Sequence, residues 1–166
     1  MTAPNSRREL HFESLDDVLR DVESLQAGGC ESLGRWELSQ TCLHLADWMQ
    51  FPLDGFPRQP APIRGLLWLL RHTIGRRQFQ RILATGRMPA GGPTMPETVH
   101  VSGGEDAAAV ERLRHAVARF EAHTDSLHPS PLFGPMDHNQ ARRLQLIHCA
   151  HHLSFLRLRN VGEASS

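Results

Sequence analysis

The sequence predicts an all-α fold: a four-helix core with an additional helical segment near 62–84. Apolar residues recur at helical spacing in four separated stretches. Capping residues, Gly and Pro bound those stretches. Strand-like alternation is confined to the short TVHVS at 98–102. The chain of 166 residues suits one domain with a single core. Residues 11–160 are expected to form that domain, with 1–10 as a flexible arm and 161–166 as a flexible tail.

The first helix is expected to open at Ser14, in SLDDVLRDVESLQA. Leu15, Val18, Leu19, Val22 and Leu25 share one face, and Asp16 and Asp17 sit where carboxylates suit the helix dipole. Gly28 and Gly29 end it. The second helix is expected over about Ser39 to Gln50, with Ser39 as N-cap and Pro52 with the DGFP turn as its stop. Residues 62–84 read as a third helix that Gly65 and Gly75 weaken. The stretch 85–104, rich in Gly, Pro and Met, reads as a long connection that is a lid, a binding loop or a disordered segment. A fourth helix follows over about Glu105 to Thr124, striped by Val110, Leu113, Val117 and Phe120. The last helix is expected over 138–159, with Asp137 and Gln140 forming a capping pair.

Composition narrows the function classes. There is no apolar run long enough to span a bilayer and no apolar h-region in MTAPNSRREL, so neither a transmembrane segment nor a secretory signal is expected. Three cysteines, Cys30, Cys42 and Cys149, are too few and too odd for a disulfide framework, which favours a reducing, cytoplasmic setting. Cys42 and Cys149 read as small core residues. Formal net charge is zero, so nucleic-acid binding gains no support. All 18 basic residues are arginine, and Arg58, Arg64, Arg71, Arg76, Arg77, Arg81 and Arg87 lie between Asp54 and Glu97 with no acid among them. That segment, with LLWLL inside it, suits a solvated face, an anionic substrate or an interfacial helix. Trp36, Trp48 and Trp68 read as core or interface anchors.

The 11 histidines carry the chemistry. His148 and His152 are one helical turn apart on the last helix, the spacing at which two imidazoles can share a metal ion. His151 points toward the core as squarely as His152 does, so spacing leaves either one open as the partner of His148. A further ligand must come from another helix, and the second helix offers His44. At about 100° per residue, Gln40, His44 and Asp47 form a narrow polar stripe on an otherwise apolar helix. His11, His72, His100, His115, His123, His128 and His138 read as capping, surface or satisfied core residues.

Trp36, Ser39, His44 and Leu45 in W-x-x-S-x-x-x-x-H-L, followed far downstream by His148 and His152 in H-x-x-x-H, resemble the DinB/YfiT-like metalloenzyme superfamily. LHPSPLFGP and HCAHHLSFL resemble a bacterial branch of it catalogued as a domain of unknown function. The similarity spans about residues 9–158. It implies a four-helix bundle with up-down-down-up connection and a centre in which His44, His148 and His152 hold one divalent metal ion, commonly zinc, nickel or iron. It implies His152 rather than His151, and often a homodimer. Such a centre keeps a position open to activate a water or a thiol for hydrolysis or thiol-dependent transfer. Gln40 and Asp47 are then the candidates to orient His44 or hold the nucleophile. The substrate expected is a small molecule, thiol-containing or anionic. Residues 62–104 share no motif with the thiol-transferring branches. The alternative is a non-catalytic bundle or interaction module whose histidines or metal serve stability or sensing.

Overall fold

The structure is a computed structural model that describes residues 6–89, 91 and 94–159. Residues 1–5 of the expected arm and the expected tail at 161–166 lie outside the described residues. The elements run in the order α1 (Leu15–Gly28), β1 (Cys30–Ser32), α2 (Leu38–Asp54), α3 (Ala61–Leu70), a π turn (Arg71–Gly75), α4 (Arg76–Thr85), a 3-10 turn (Pro96–Thr98), α5 (Asp106–Ala122), α6 (His138–Leu153) and β2 (Leu156–Leu158). The protein is mostly helical, as its apolar periodicity predicts. One main core is drawn from α1, α2, α5 and α6, with Val18, Val22, Leu45, Met49, Leu113 and Leu153 fully enclosed.

Local chemistry explains most boundaries. Ser14 and Asp17 exchange side-chain and backbone hydrogen bonds at the start of α1. Asp137 accepts from the Gln140 N–H at 2.8 Å, and the Gln140 side chain accepts from the Asp137 N–H at 3.2 Å, as the sequence predicts for α6. α2 differs from expectation at both ends. Its N-cap is Glu37, whose N–H donates to Gln40 Oε1 at 3.2 Å, and Ser39 lies inside the helix, buried. Pro52 falls in the last turn, and the helix continues to Asp54 before Gly55 turns the chain with φ of 101°. A proline there removes the amide that would bond the Trp48 carbonyl one turn back, and that carbonyl accepts from the Gln145 side chain at 2.9 Å instead.

α6 also ends earlier than expected, at Leu153. Leu156–Leu158 instead pairs antiparallel with Cys30–Ser32, Cys30 opposite Leu158 and Ser32 opposite Leu156. The helical period simply ran on into a strand whose Leu156 is itself buried. This ribbon ties the link between α1 and α2 to the C-terminal end of α6. Residues 6–10 run to the same place: the Arg8 N–H donates to the Ser154 carbonyl at 3.0 Å, and its guanidinium holds Asp21 through two bonds of 2.7 and 2.8 Å. TVHVS forms no strand; its start is the 3-10 turn, and Val99 continues in extended backbone.

The expected helix near 62–84 is one continuous helical rod over Ala61–Thr85, interrupted only by the π turn. Gly75 sits at that turn for a steric reason. A Cβ there would lie 2.1 Å from the Leu132 carbonyl oxygen, so only glycine lets the rod cross the 130–134 turn. α4 fastens the rod to the body through Phe79 and Ile82, which pack with Phe133, Leu144 and Ile147 in a second, smaller core. α6 is therefore covered on two sides.

Candidate metal centre

His44 lies in the middle of α2 and His148 and His152 in the last turns of α6. Gln145 Nε2 donates to the Trp48 carbonyl at 2.9 Å, one turn from His44 on α2 and nearly one turn from His148 on α6. That bond locks the two helices in the register that makes the imidazoles meet. One nitrogen from each of the three rings lies within 4.8 Å of the others. His44 and His148 are buried, and His152 is half-buried. His151 packs edge-on against both Phe155 and the His152 ring, its centroid 5.0 Å from the latter, and its ring faces the Met88 backbone, so it flanks the cluster without joining it. Two-sided burial of α6 is why helical spacing alone could not separate His151 from His152.

The His44 Nε2 and His148 Nε2 atoms are 3.2 Å apart. On the other side of the same ring, His44 Nδ1 lies 3.3 Å from the Thr98 carbonyl oxygen. A carbonyl only accepts, so Nδ1 carries the proton and Nε2 presents its lone pair to the cluster. Trp36 stacks on His152, with ring centroids 5.4 Å apart and planes 10° from parallel, while Trp48 packs on His148 at 5.1 Å. The short ribbon places Trp36 there, since Ser32 Oγ donates to the Trp36 carbonyl at 2.7 Å.

Burial keeps the rings neutral. It lowers His44 from 6.5 to about 4, against the opposing pull of the Thr98 carbonyl. Burial, then the neighbouring imidazoles, lowers His148 well below its ordinary value and His152 to about 2. A neutral imidazole is the metal-ligating form.

The residues present fit a metal ion. Two ligands at about 2.05 Å on a tetrahedral centre stand about 3.3 Å apart, close to the separation between His44 and His148. The widest gap in the trio exceeds that by about 1.5 Å, so one ring must swing inward to complete the set. His44 and His148 turn their Nε2 atoms toward each other in the interior, and ring nitrogens gathered away from water suit a cation. The other His148 nitrogen, Nδ1, is buried without a hydrogen bond.

Gln40 and Asp47 act at one remove from this cluster. Gln40 Nε2 donates to the His100 carbonyl at 2.7 Å, and Asp47 Oδ2 lies 2.7 Å from His100 Nε2. Arg112 from α5 donates to the other Asp47 oxygen. Glu37 accepts from the Gly103 N–H. The polar stripe of α2 thus clamps the strap 98–103, and that strap delivers the Thr98 carbonyl to His44. Thr98, His100, Arg112 and Gln145 were not singled out from sequence as site residues. No local spacing signals them, because each meets its partner across at least 53 positions of chain. Cys42 and Cys149 are fully buried and point into the core, as expected.

No helix among the described residues is long and apolar enough to cross a membrane. No curated protein and no solved structure matches the chain significantly. A family model described as a protein of unknown function (DUF1569) matches residues 4–159. That match covers nearly the whole sequence, and the chain belongs to this family.

Proposed function

We propose that His44, His148 and His152 hold one divalent transition metal ion of the zinc, nickel or iron class, and that the protein is a metal-dependent hydrolase or thiol-dependent transferase. The observation that carries this reading is the convergence of three neutral imidazoles from two helices at one buried point. A metal bound there would act as a Lewis acid toward a water, thiol or carbonyl at its remaining position. Thr98 holds the His44 proton at Nδ1, and Trp36 and Trp48 shield the rings from water. Gln40 and Asp47 hold the strap that positions Thr98. The substrate class in this reading is a small thiol or anionic compound, and the setting is cytoplasmic. The mostly helical core and the histidine order are consistent with an up-down-down-up DinB-like bundle, which in this reading can pair as a homodimer.

One observation favours a non-catalytic alternative. The 3.2 Å contact also suits a hydrogen bond from His148 Nε2–H to His44 Nε2, which would let the pair serve stability alone. Metal analysis of tag-free protein, combined with His148→Ala, separates the two. The metalloenzyme reading expects about one equivalent of a transition metal, lost in the variant while the fold persists. Under about 0.2 equivalents, with no thermal shift on adding zinc or nickel, would reject it, because a ligand bound only by the native state raises stability by linkage.

A further inference from the structure

The most apolar helix of the protein is left uncovered. α3 reads APIRGLLWLL, and none of its residues is buried. Its close packing is against its own continuation, the π turn. Ile63, Leu66, Trp68, Leu69 and, in the π turn, Ile74 are 45 to 62% exposed. Isolated exposed leucines are ordinary, but a contiguous patch of this kind marks a surface that something covers.

Charge says what covers it. From residue 55 to 96 the chain carries seven arginines and no acid. Arg71 and Arg76 lean on the 130–135 turn, the latter donating to the Pro135 carbonyl at 3.0 Å. Arg64, Arg77 and Arg81 are exposed, and no ion pair among the described residues engages them. A second copy docked rod to rod would set arginines against arginines with no acid in either segment to answer them. A peptide-like partner usually needs one apolar stripe, whereas α3 exposes apolar side chains on more than one side, Ile63 and Leu66 on one and Trp68 on another, with Arg64 between them. Ten residues span about 15 Å, too short to cross a bilayer but enough to enter its interface. Tryptophan with flanking arginines is the side-chain set that sits at headgroup depth.

We infer that the rod 61–85 docks the protein on an anionic lipid surface, with α3 entering the boundary between headgroups and acyl chains and Arg77 and Arg81 meeting the phosphates. The inference stands apart from the metal reading, since it uses none of the same residues. It is tested by sedimenting the full chain with vesicles of phosphatidylcholine alone or with about one-third phosphatidylglycerol. Binding to the anionic vesicles is expected at least tenfold tighter at low salt, weakening as salt rises. Trp68→Ser with Leu69→Ser, and separately Arg77→Glu with Arg81→Glu, should each cut that binding at least tenfold. All four side chains are exposed, so the melting temperature should hold. Equal sedimentation with neutral and anionic vesicles, or full binding by the charge-reversed variant, overturns the inference. So does a dimer at micromolar concentration that Leu66→Glu splits, since that would give the patch to a second copy.

Discussion

Around His44 the fold buries polar groups, whereas along residues 61–74 it exposes apolar ones. Both placements run against the ordinary sorting of side chains by water, but they are held very differently. The histidine cluster is cross-linked from every side: Gln145 joins α6 to α2, Arg112 joins α5 to α2, and the 98–103 strap is pinned at Glu37, Gln40, His44 and Asp47. The rod hangs on Phe79 and Ile82 alone among its residues that are buried with side chains. A buried polar site must be over-determined to persist, since each unpaired group costs about 1–3 kcal/mol. An exposed apolar tip needs only a firm root, because its stabilisation comes from whatever it later meets.

The sharpest way to break that comparison is at the root. Phe79 is fully buried, and Phe79→Ala is expected to remove about 3–5 kcal/mol of stability through lost burial and the cavity left behind. Metal binding at the histidines should survive, because the second core does not include them. Urea denaturation beside metal titration checks both halves. A variant that loses the metal as well would show that the two regions fold as one unit.

Acid tests the other side. The folded protein holds His44 at about 4 against 6.5 when unfolded, so between those values the unfolded chain takes up the proton more readily. Metal-free protein should therefore be fully stable above pH 6.5 and weaken as pH falls toward 4. At pH 5 this ring alone should account for a loss of about 2 kcal/mol. His148 and His152, lowered by the same burial, act in the same direction. Denaturation at pH 7.5 and pH 5 in chelator, with His44→Gln as control, reads the effect. Equal stability at the two values would mean that the ring is not held neutral in the interior.

Much of this is legible in the sequence, and the reason is periodicity. α1 and α5 carry apolar stripes against polar faces, so their positions follow from spacing. Gln40, His44 and Asp47 stood out because a polar stripe on a buried helix needs partners. What spacing could not supply was who those partners are. The stripe serves a strap some fifty residues downstream, in a segment that reads only as a loop. The end of α6 was misplaced because Leu156 and Leu158 belong to a strand whose other half lies at Cys30–Ser32, and pairing across the chain leaves no local trace. Trp68, expected as a core or interface anchor, is 62% exposed and so lies outside the core, since composition cannot say whether an apolar helix faces its own core.

A milder change tests whether the strap serves the site. Asp47→Asn keeps the shape but removes the charge that holds Arg112 and His100. The pair with Arg112 is partly open to solvent, so a loss of about 1–2 kcal/mol is expected. The more telling readout is metal affinity, which should weaken roughly tenfold as the strap loosens its hold on His44. Unchanged affinity would mean that the Thr98 carbonyl holds its place without Asp47, and that α2's polar stripe is structural only.

The smallest perturbation leaves stability untouched and reports where opening begins. Cys42 and Cys149 neighbour His44 and His148 in sequence but point into the core, and burial pushes the Cys42 thiol up to about 12 and that of Cys149 further. Cys30, in the ribbon, is half-buried, and burial raises it as well. A disulfide reagent reacts with the thiolate, so one thiol per native chain should react readily and two should wait for unfolding. In Phe79→Ala the two protected thiols should stay slow if the rod's root is independent of the main core. Fast reaction of all three would show that loosening α4 also parts α2 from α6, and the contrast between a clamped site and a hanging rod would fall.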